Sequence, residues 1–305
     1  MKGRPAAFVV VFFLISVLET ISAFASGPTG TVRRILRLST GKVEVRSLED
    51  YVAAVLPVEM GPAPASALEA QAIATRSYAV ARAHRHEDEG ADLCDGTHCQ
   101  VYTGSGAATA ASIRAARATE DLVLMQNGRV IAAPFHAACG GRTTRPSDVW
   151  DDEETPDLVS VEDDACLEGA SWTYRLARAD VPSLGNEFGI PDASFLEVFG
   201  RTGDGRIAML RLVAPGGRSR VLSGYAFRQT AIRLWGSRSV QSTAFELTET
   251  RSDYVLVGRG HGHGAGLCQR GAIIRGRRGE TREEILALYY KGATVRALPA
   301  LAASR

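Results

Sequence analysis

Residues 47–79 read SLEDYVAAVLPVEMGPAPASALEAQAIATRSYA, and this stretch predicts two helices separated by a short link. Ser47 followed by Asp50 is typical of a helix start, where a hydroxyl side chain accepts a hydrogen bond from the first turn. Pro57 limits the first helix, because a proline inside a helix removes a backbone hydrogen bond. An alanine-rich second helix follows after a few glycine and proline residues. Glu59 is therefore expected in the link between the two helices.

The sequence on either side of these helices predicts strands joined by tight turns. Residues 32–45 alternate in polarity around Thr40-Gly41, and residues 122–135 do so around Asn127-Gly128, a pair typical of hairpin turns. Residues 207–222 repeat the pattern. Helices and strands follow one another without a regular βαβ repeat. We therefore expect the α+β fold class, with mixed helices and antiparallel hairpins around a central substrate groove, and room for a smaller inserted subdomain.

The N-terminus has the three parts of an export signal. Met1 to Arg4 is basic, Ala6 to Leu18 is apolar apart from one serine, and Ala23-Phe24-Ala25 has the small-x-small pattern of a cleavage site. The apolar run is shorter than the roughly 20 residues that a membrane-spanning helix needs. We therefore predict a signal peptide over residues 1–25 and export to the periplasm, cell envelope or exterior. The alternative is an uncleaved N-terminal anchor.

Charge and motif content exclude two classes of partner. Among the 305 residues, 35 Lys and Arg nearly balance 34 Asp and Glu, so the formal net charge is +1. A protein that binds nucleic acid over its whole surface needs an excess of cations. A nucleotide loop is also not expected, because no Gly-Lys-Ser/Thr follows the glycine-rich segment. The sequence therefore predicts neither a nucleic-acid nor a nucleotide partner.

The predicted export bears on the oxidation state of the five cysteines. In an oxidising compartment, Cys94 with Cys99 and Cys139 with Cys166 are candidates for two disulfides, which leaves Cys268 over. The first pair would close a small loop and the second a larger one. We favour this disulfide assignment on the ground of compartment.

A zinc site is the rival assignment for the first cysteine pair. Cys94, His98 and Cys99 offer soft ligands at short spacing, and His136 is the candidate for a fourth ligand in a tetrahedral shell. Adjacent residues such as His98 and Cys99 are awkward as two ligands of one ion. Zinc is therefore kept as an alternative, and the chemistry expected of this chain needs no cofactor.

Glu59 is the candidate for a catalytic acid. It stands between Val58 and Met60, so we expect its carboxyl group to be partly removed from water. Desolvation raises the pKa of a carboxyl group and keeps it protonated near neutral pH, as a general acid requires. The plainer interpretation is a glutamate at the surface or at a helix end.

Glycine occupies every second position from Gly258 to Gly266. In an extended conformation this spacing would leave one face without side chains, so that another backbone or a ligand can approach closely. His261 and His263 would then project together from the opposite face. We interpret the segment as the wall of a binding site. The alternatives are a flexible linker and a zinc site that uses the two histidines.

Several segments, found here in the same order, resemble those of the stage II sporulation protein D family, which includes the LytB amidase enhancers. The agreement covers most of residues 43–296. The segments are the two helical stretches Tyr51–Met60 and Glu69–Ala79, the motif Cys-x4-Cys-Gln-Val-Tyr at 94–102, Cys-Gly-Gly-Arg-Thr at 139–143 with Val149-Trp150, Gly-x-Gly-His-Gly-x-Gly-x-x-Gln-x-Gly-Ala at 260–272, and Ile285–Gly292. The resemblance divides the chain into the signal peptide, a peptidoglycan-acting domain over residues 26–296 and a tail over residues 297–305.

The resemblance implies a lytic transglycosylase that cleaves the bonds between N-acetylmuramic acid and N-acetylglucosamine in glycan strands stripped of their peptides. Glu59 matches the catalytic glutamate of the family, and one carboxyl group suffices for this reaction, unlike the pair in most glycosidases. Glu69, on the second helix, is the acid to be distinguished from it. The residues expected to bind substrate are Arg76, Gln71, Gln100, Tyr102, His261, His263 and Gln269.

The resemblance also implies a competing function. Some members of the family are amidase enhancers, and such a protein would hold peptidoglycan in the same groove without cleaving it. Its partner would then be a cell-wall amidase.

Overall fold

The computed structural model describes residues 31–151 and 156–298. The predicted signal peptide, residues 1–25, lies outside these ranges, as does most of the predicted tail. Within them, no helix combines the length and the apolar character that crossing a membrane requires.

Seven helices and fourteen strands make up the described part of the chain. The helices are α1 (Leu48–Met60), α2 (Ala65–Ala81), α3 (Ala110–Ala118), α4 (Val181–Glu187), α5 (Gly224–Trp235), α6 (Gln269–Arg277) and α7 (Arg282–Tyr289). The strands are β1 (Val32–Arg37), β2 (Lys42–Ser47), β3 (Leu93–Cys94), β4 (Leu122–Gln126), β5 (Arg129–Val130), β6 (Phe135–His136), β7 (Ser171–Ala177), β8 (Phe195–Arg201), β9 (Ile207–Val213), β10 (Ser219–Ser223), β11 (Phe245–Glu249), β12 (Asp253–Arg259), β13 (Leu267–Cys268) and β14 (Thr294–Ala297).

The strands form small sheets, and most neighbouring strands are antiparallel. The strand orders are β2-β1-β3, β14-β4-β5, β10-β9-β8, β11-β12-β7 and β13-β6. The pairs β1–β3 and β6–β13 are parallel. The predicted α+β class is confirmed. The predicted hairpins β1–β2, β4–β5 and β9–β10 are also present.

Two hydrophobic clusters divide the chain. The first surrounds α1 and α2, and it is completed by residues from the far end of the chain, such as Leu267 and Tyr289. The second lies entirely within residues 172–256 and centres on Phe227, Leu210 and Tyr254. The second cluster is thus inserted in sequence between parts of the first. The described residues nonetheless belong to one compact unit, so the smaller inserted subdomain stays a prediction.

The first helix extends further than Pro57 indicated. Ser47 caps α1 by accepting from the Asp50 N–H at 3.1 Å, but the helix continues past Pro57 to Met60. The N–H of Gly61 closes the helix by donating to the carbonyl of Pro57 at 3.0 Å. An internal proline costs about 3 kcal/mol, and the nearly complete burial of six consecutive residues, 51–56, offsets this cost. Glu59 therefore lies in the last helical turn and not in a link.

The glycine-rich segment is not extended. Gly260, Gly262, Gly264 and Gly266 all have positive φ angles, between +70° and +99°. A side chain at Gly266 would place its Cβ 1.9 Å from the carbonyl oxygen of Pro134, and one at Gly260 would lie 2.7 Å from that of Ala138. The expected close approach of another backbone is therefore present. It arises from a succession of left-handed turns, which glycine adopts without strain.

Candidate functional site

A cavity of about 500 Å³ lies beside the end of α1 and the glycine-rich loop. Its lining comes from helices of both hydrophobic clusters. Glu59 lies on α1, and Tyr225 and Arg228 lie on α5. His261 and His263 line it from the glycine-rich loop. Helix α5, from the second hydrophobic cluster, therefore supplies one part of the lining, and α1 and α2 supply another.

Glu59 is held by two hydrogen bonds. Its Oε1 accepts from the backbone N–H of Val101 at 3.0 Å, and its Oε2 accepts from the side-chain amide of Gln269 at 3.3 Å. Burial raises the pKa of Glu59, and these two donors lower it by a smaller amount, since they favour the carboxylate. Among the described residues that line the cavity, Glu59 is the one with a carboxyl group. The cavity therefore contains an acid with an enhanced tendency to keep its proton.

Two imidazole rings on the opposite side are fixed by the backbone. His263 donates from Nε2 to the carbonyl of Phe135 at 2.8 Å and accepts at Nδ1 from the N–H of Ala265 at 3.1 Å. His136 donates from Nδ1 to the carbonyl of Ala265 at 3.1 Å. Burial lowers the pKa of both rings, that of His136 to about 3, so both are neutral. Their backbone bonds set the tautomers.

His261 and two aromatic residues complete this side. Burial and the charge of Arg228 lower the pKa of His261. The ring of Trp150 lies 4.7 Å from that of His263 and 6.1 Å from that of Tyr225, measured between centroids. Aromatic faces suit the apolar face of a sugar ring, and they remove the space from water. We call His136, His261 and His263, with Trp150 beside them, the histidine wall.

Two predicted binding residues lie away from the cavity. Arg76 is completely buried and forms an ion pair with Glu49, with its Nε donating to Glu49 Oε1 at 2.7 Å. It also donates to the carbonyls of Ala116 and Leu122. Gln71 is buried as well, and its amide donates to the hydroxyl of Thr75. The prediction that Arg76 and Gln71 contact the substrate is corrected, because Arg76 joins α2 to α1 and α3 and Gln71 is buried with its bond inside α2.

Gln100 and Tyr102 support the site from behind. Gln100 accepts from the hydroxyl of Tyr51 at 3.0 Å and donates to the carbonyl of Thr75 at 3.4 Å. Tyr102 donates to Glu44 at 3.3 Å. Both residues are almost fully buried and do not line the cavity. They flank Val101 in the chain and so position the N–H that binds Glu59, rather than contacting the substrate as expected.

The cysteines are free thiols in the structure, so neither predicted disulfide is formed. Cys94, His98 and Cys99 lie together, but their fourth neighbour is His86. His136 belongs to the histidine wall, and the prediction that it joins Cys94 is wrong. The ligand atoms of this outer cluster (His86, Cys94, His98 and Cys99) lie within 4.8 Å of one another. Two sulfur and two nitrogen atoms suit tetrahedral zinc.

A second group of cysteines lies in the interior. Cys139 and Cys166, predicted as a disulfide pair, are joined by Cys268, the cysteine left over from the pairing, and by Asp163. We call these four residues the inner cluster. Its members are distant in sequence, so spacing alone does not indicate that they meet.

Sequence reasoning missed several residues of the cavity. Trp150 carried a signal, since it stands in one of the motifs quoted above. Tyr225 and Arg228 carried none, because they come from α5 in the second hydrophobic cluster. His86 stands in a charged stretch that resembles a loop, and the structure places it beside His98, with 3.2 Å between His86 Nε2 and His98 Nδ1.

Comparisons with known proteins agree with the resemblance. The family model described as stage II sporulation protein matches residues 37–126, which include Glu59. The stage II sporulation protein D of Bacillus subtilis is 26% identical over 284 residues, covering 86% of this chain and 78% of that protein.

Two further relatives are longer than the matched region. An uncharacterized protein of Brachyspira hyodysenteriae is 28% identical over 254 residues, covering 82% of this chain and 66% of that protein. The amidase enhancer of Bacillus subtilis is 25% identical over 291 residues, covering 79% of this chain. The match spans only 39% of that enhancer's length.

Proposed function

Because the chain belongs to the stage II sporulation protein D family, we propose that it acts on the cell wall as a peptidoglycan lytic transglycosylase. The observation that supports this proposal is the position of Glu59, a half-buried carboxyl group with a raised pKa on a cavity bounded by aromatic rings. Its substrate would be a glycan strand without peptides, outside the cytoplasmic membrane.

The proposed reaction uses Glu59 twice. The protonated carboxyl donates its proton to the oxygen that joins C1 of N-acetylmuramic acid to N-acetylglucosamine, and the bond between C1 and that oxygen breaks. Positive charge develops at C1. The carboxylate of Glu59 then takes the proton of the C6 hydroxyl, and O6 bonds to C1, which gives a 1,6-anhydro ring. No water is consumed, so the cavity does not need a second carboxylate to activate one.

The two donors to Glu59 fit both steps. The N–H of Val101 and the amide of Gln269 stabilise the carboxylate after the first transfer, while burial favours the protonated form before it. The histidines do not compete for this role, because burial lowers the pKa of His136 and His263 and both rings already bond to backbone groups. The transferable proton is therefore assigned to Glu59.

The test combines purified protein with peptide-stripped glycan and detects anhydromuramyl products by mass spectrometry. Glu59→Gln is expected to lower the rate by at least about 100-fold, the usual contribution of a general acid, and to leave glycan binding intact. Glu69→Gln is the matched control, since Glu69 pairs with Arg282 on another helix and does not line the cavity. Wild-type protein that binds glycan without forming anhydro products would contradict the proposal.

The similarity to an amidase enhancer favours a second candidate function, in which the cavity binds glycan and a separate amidase is stimulated. In that case, Glu59→Gln would stimulate a cell-wall amidase as strongly as the wild type. Amidase rates on intact peptidoglycan, measured with each variant added, separate the two functions.

We also propose that the outer cluster binds a structural zinc ion. His86 offers Nε2, and the Glu89 carboxylate lies 3.5 Å from its Nδ1, close enough to favour a positive charge at the site. Such an ion would fix residues 86–99 at the edge of the cavity, where His98 and Cys99 lie. It would supply no step of the reaction.

A further inference from the structure

The inner cluster is separate from both the cavity and the outer cluster. Three sulfur atoms and one carboxylate oxygen of Cys139, Asp163, Cys166 and Cys268 lie within 4.8 Å of one another. All four residues are at most 1% exposed. Ligand atoms around a tetrahedral zinc ion are about 3.8 Å apart, so only small movements would close this group around an ion. We propose that the inner cluster is a second metal site, selective for a thiophilic divalent cation of the zinc class.

Hydrogen bonds around the inner cluster prepare it for negative charge. The Sγ of Cys268 accepts from the backbone N–H groups of Cys139 at 3.2 Å and of Gly271 at 3.3 Å. Bonds of this kind stabilise a thiolate, the form of cysteine that binds metals. Cys268 is also the N-cap of α6, and the free N–H groups at the start of a helix favour an anion.

Asp163 is oriented as a metal-binding carboxylate would be. Its Oδ2 accepts from the hydroxyl of Tyr289 at 2.7 Å, and its Oδ1 accepts from Arg275 at 3.1 Å. The side chain of Arg275 is itself largely buried. Arg275 balances the carboxylate alone, so thiolates formed at the three cysteines would be uncompensated in the interior, and a divalent cation would supply the missing charge.

The inner cluster explains the glycine in the motif Gln-Arg-Gly-Ala at residues 269–272. A Cβ on Gly271 would lie 2.2 Å from Asp163 Oδ2 and 2.1 Å from the hydroxyl of Tyr289. Glycine at this position lets α6 approach the carboxylate closely. The inner cluster thus joins three distant segments through Cys139, the turn at residues 164–166 and the first residue before α6. Gln269, which binds Glu59, is the next residue, so the ion would fix the donor side of the cavity.

A disulfide is the competing use of these cysteines. It would join two of the three sulfur atoms, leave the third as a thiol and do nothing for the buried charge of Asp163. A metal ion uses all four groups. A bound ion is detected by elemental analysis and by the absorption bands of a cobalt substitute, whereas a disulfide is detected by the mass of the alkylated, unreduced protein.

The experiment uses full-length protein purified under reducing conditions with zinc. Elemental analysis of the double variant Cys94→Ser/Cys99→Ser, which lacks the outer cluster, is expected to find one ion per chain. Adding Cys268→Ser should remove that ion. Cobalt exchanged into the double variant should give the near-ultraviolet bands of thiolate-bound cobalt, and Asp163→Asn should change these bands without abolishing them.

Wild-type protein provides the measurement that does not depend on a variant folding. If both clusters bind metal it holds two ions per chain, and if the outer cluster does not, it holds one that survives the loss of Cys94 and Cys99. A folded double variant without metal would overturn the proposal. So would unreduced wild-type protein in which two of Cys139, Cys166 and Cys268 resist alkylation as a disulfide. Neither result would bear on cleavage by Glu59.

Discussion

Burial shifts the pKa values on the two sides of the cavity in opposite directions. On the carboxyl side, Glu59 with its donors Val101 and Gln269, burial raises the pKa and favours the protonated, neutral group. On the histidine wall, burial lowers the pKa values of His136 and His263 and again favours neutral groups. Removal of water penalises any charge, so an acid keeps its proton and a base loses one.

The comparison separates the duties of the two sides. In the proposed mechanism the transferred proton belongs to Glu59 on the carboxyl side, whereas the histidine wall provides shape and aromatic surface. His263 binds backbone groups of residues 135 and 265 through both ring nitrogens, and His136 binds the carbonyl of residue 265 through Nδ1, which holds the wall in place. Exchanging residues on each side should therefore affect different quantities.

The largest effect is expected from Gly266→Ala, which breaks the histidine wall. The new Cβ would meet the carbonyl of Pro134 at 1.9 Å, at a φ of +70°, so β6 and β13 would have to separate. We expect a loss of about 4 kcal/mol or more in the free energy of unfolding, measured by denaturant titration. Gly279→Ala is the control, because it has a similar φ with open space around it and should cost about 1–2 kcal/mol. Equal losses would contradict this account of the wall.

Trp150→Ala tests whether the wall binds the sugar. Removing the ring should raise the KM for glycan by about tenfold, the equivalent of about 1.4 kcal/mol, with little change in kcat. Trp150→Phe keeps an aromatic face and should recover most of the affinity. Steady-state kinetics with glycan of defined length measures both constants. A fall in kcat at constant KM would instead place Trp150 on the chemical step.

Gln269→Leu tests the carboxyl side through pH. The amide of Gln269 favours the carboxylate of Glu59, so its loss should raise the pKa of Glu59 further. Cleavage needs the protonated acid, and the decline of activity with rising pH should therefore move to higher pH. A single hydrogen bond contributes about 1 kcal/mol, so the decline of activity should move by somewhat less than about one pH unit. A decline that stays in place, or moves to lower pH, would show that Gln269 does not tune Glu59.

The smallest effect concerns stability. A carboxyl group whose pKa is raised on folding stabilises the native state at low pH, and this contribution is lost as pH rises from about 4.5 through the raised value. Glutamine has no proton to lose. Glu59→Gln should therefore gain stability relative to the wild type across this window, by about 1.4 kcal/mol for each unit of pKa difference. Thermal unfolding at several pH values measures the gap, and a gap independent of pH would contradict the burial argument.

Local patterns predicted much of the fold, because they depend on neighbours in sequence. The β1–β2 hairpin and the cap at Ser47 both follow from a few adjacent residues. Pro57 misled the prediction because tertiary burial of α1 outweighs the local cost of proline. Local signals thus indicate elements, and packing decides their ends.

The site was harder to predict than the fold, because its residues come from distant segments. Glu59 was identified correctly as a cavity residue, but Arg76 was not, since a buried ion pair with Glu49 has no signature in sequence. The inner cluster shows the same difficulty. Cys268 was set aside as unpaired because pairing by spacing takes no account of β6 and β13, which bring residues 136 and 268 side by side.

The bond between Gln269 and Glu59 spans 210 residues of sequence. During synthesis on a ribosome, Glu59 is therefore made well before the residue that donates to it. An interrupted or clipped polypeptide would carry the acid without the amide, the glycine-rich loop or the rings that it supports. If Glu59 acts as proposed, the acid and the amide that tunes it come together only after the segments between them have folded.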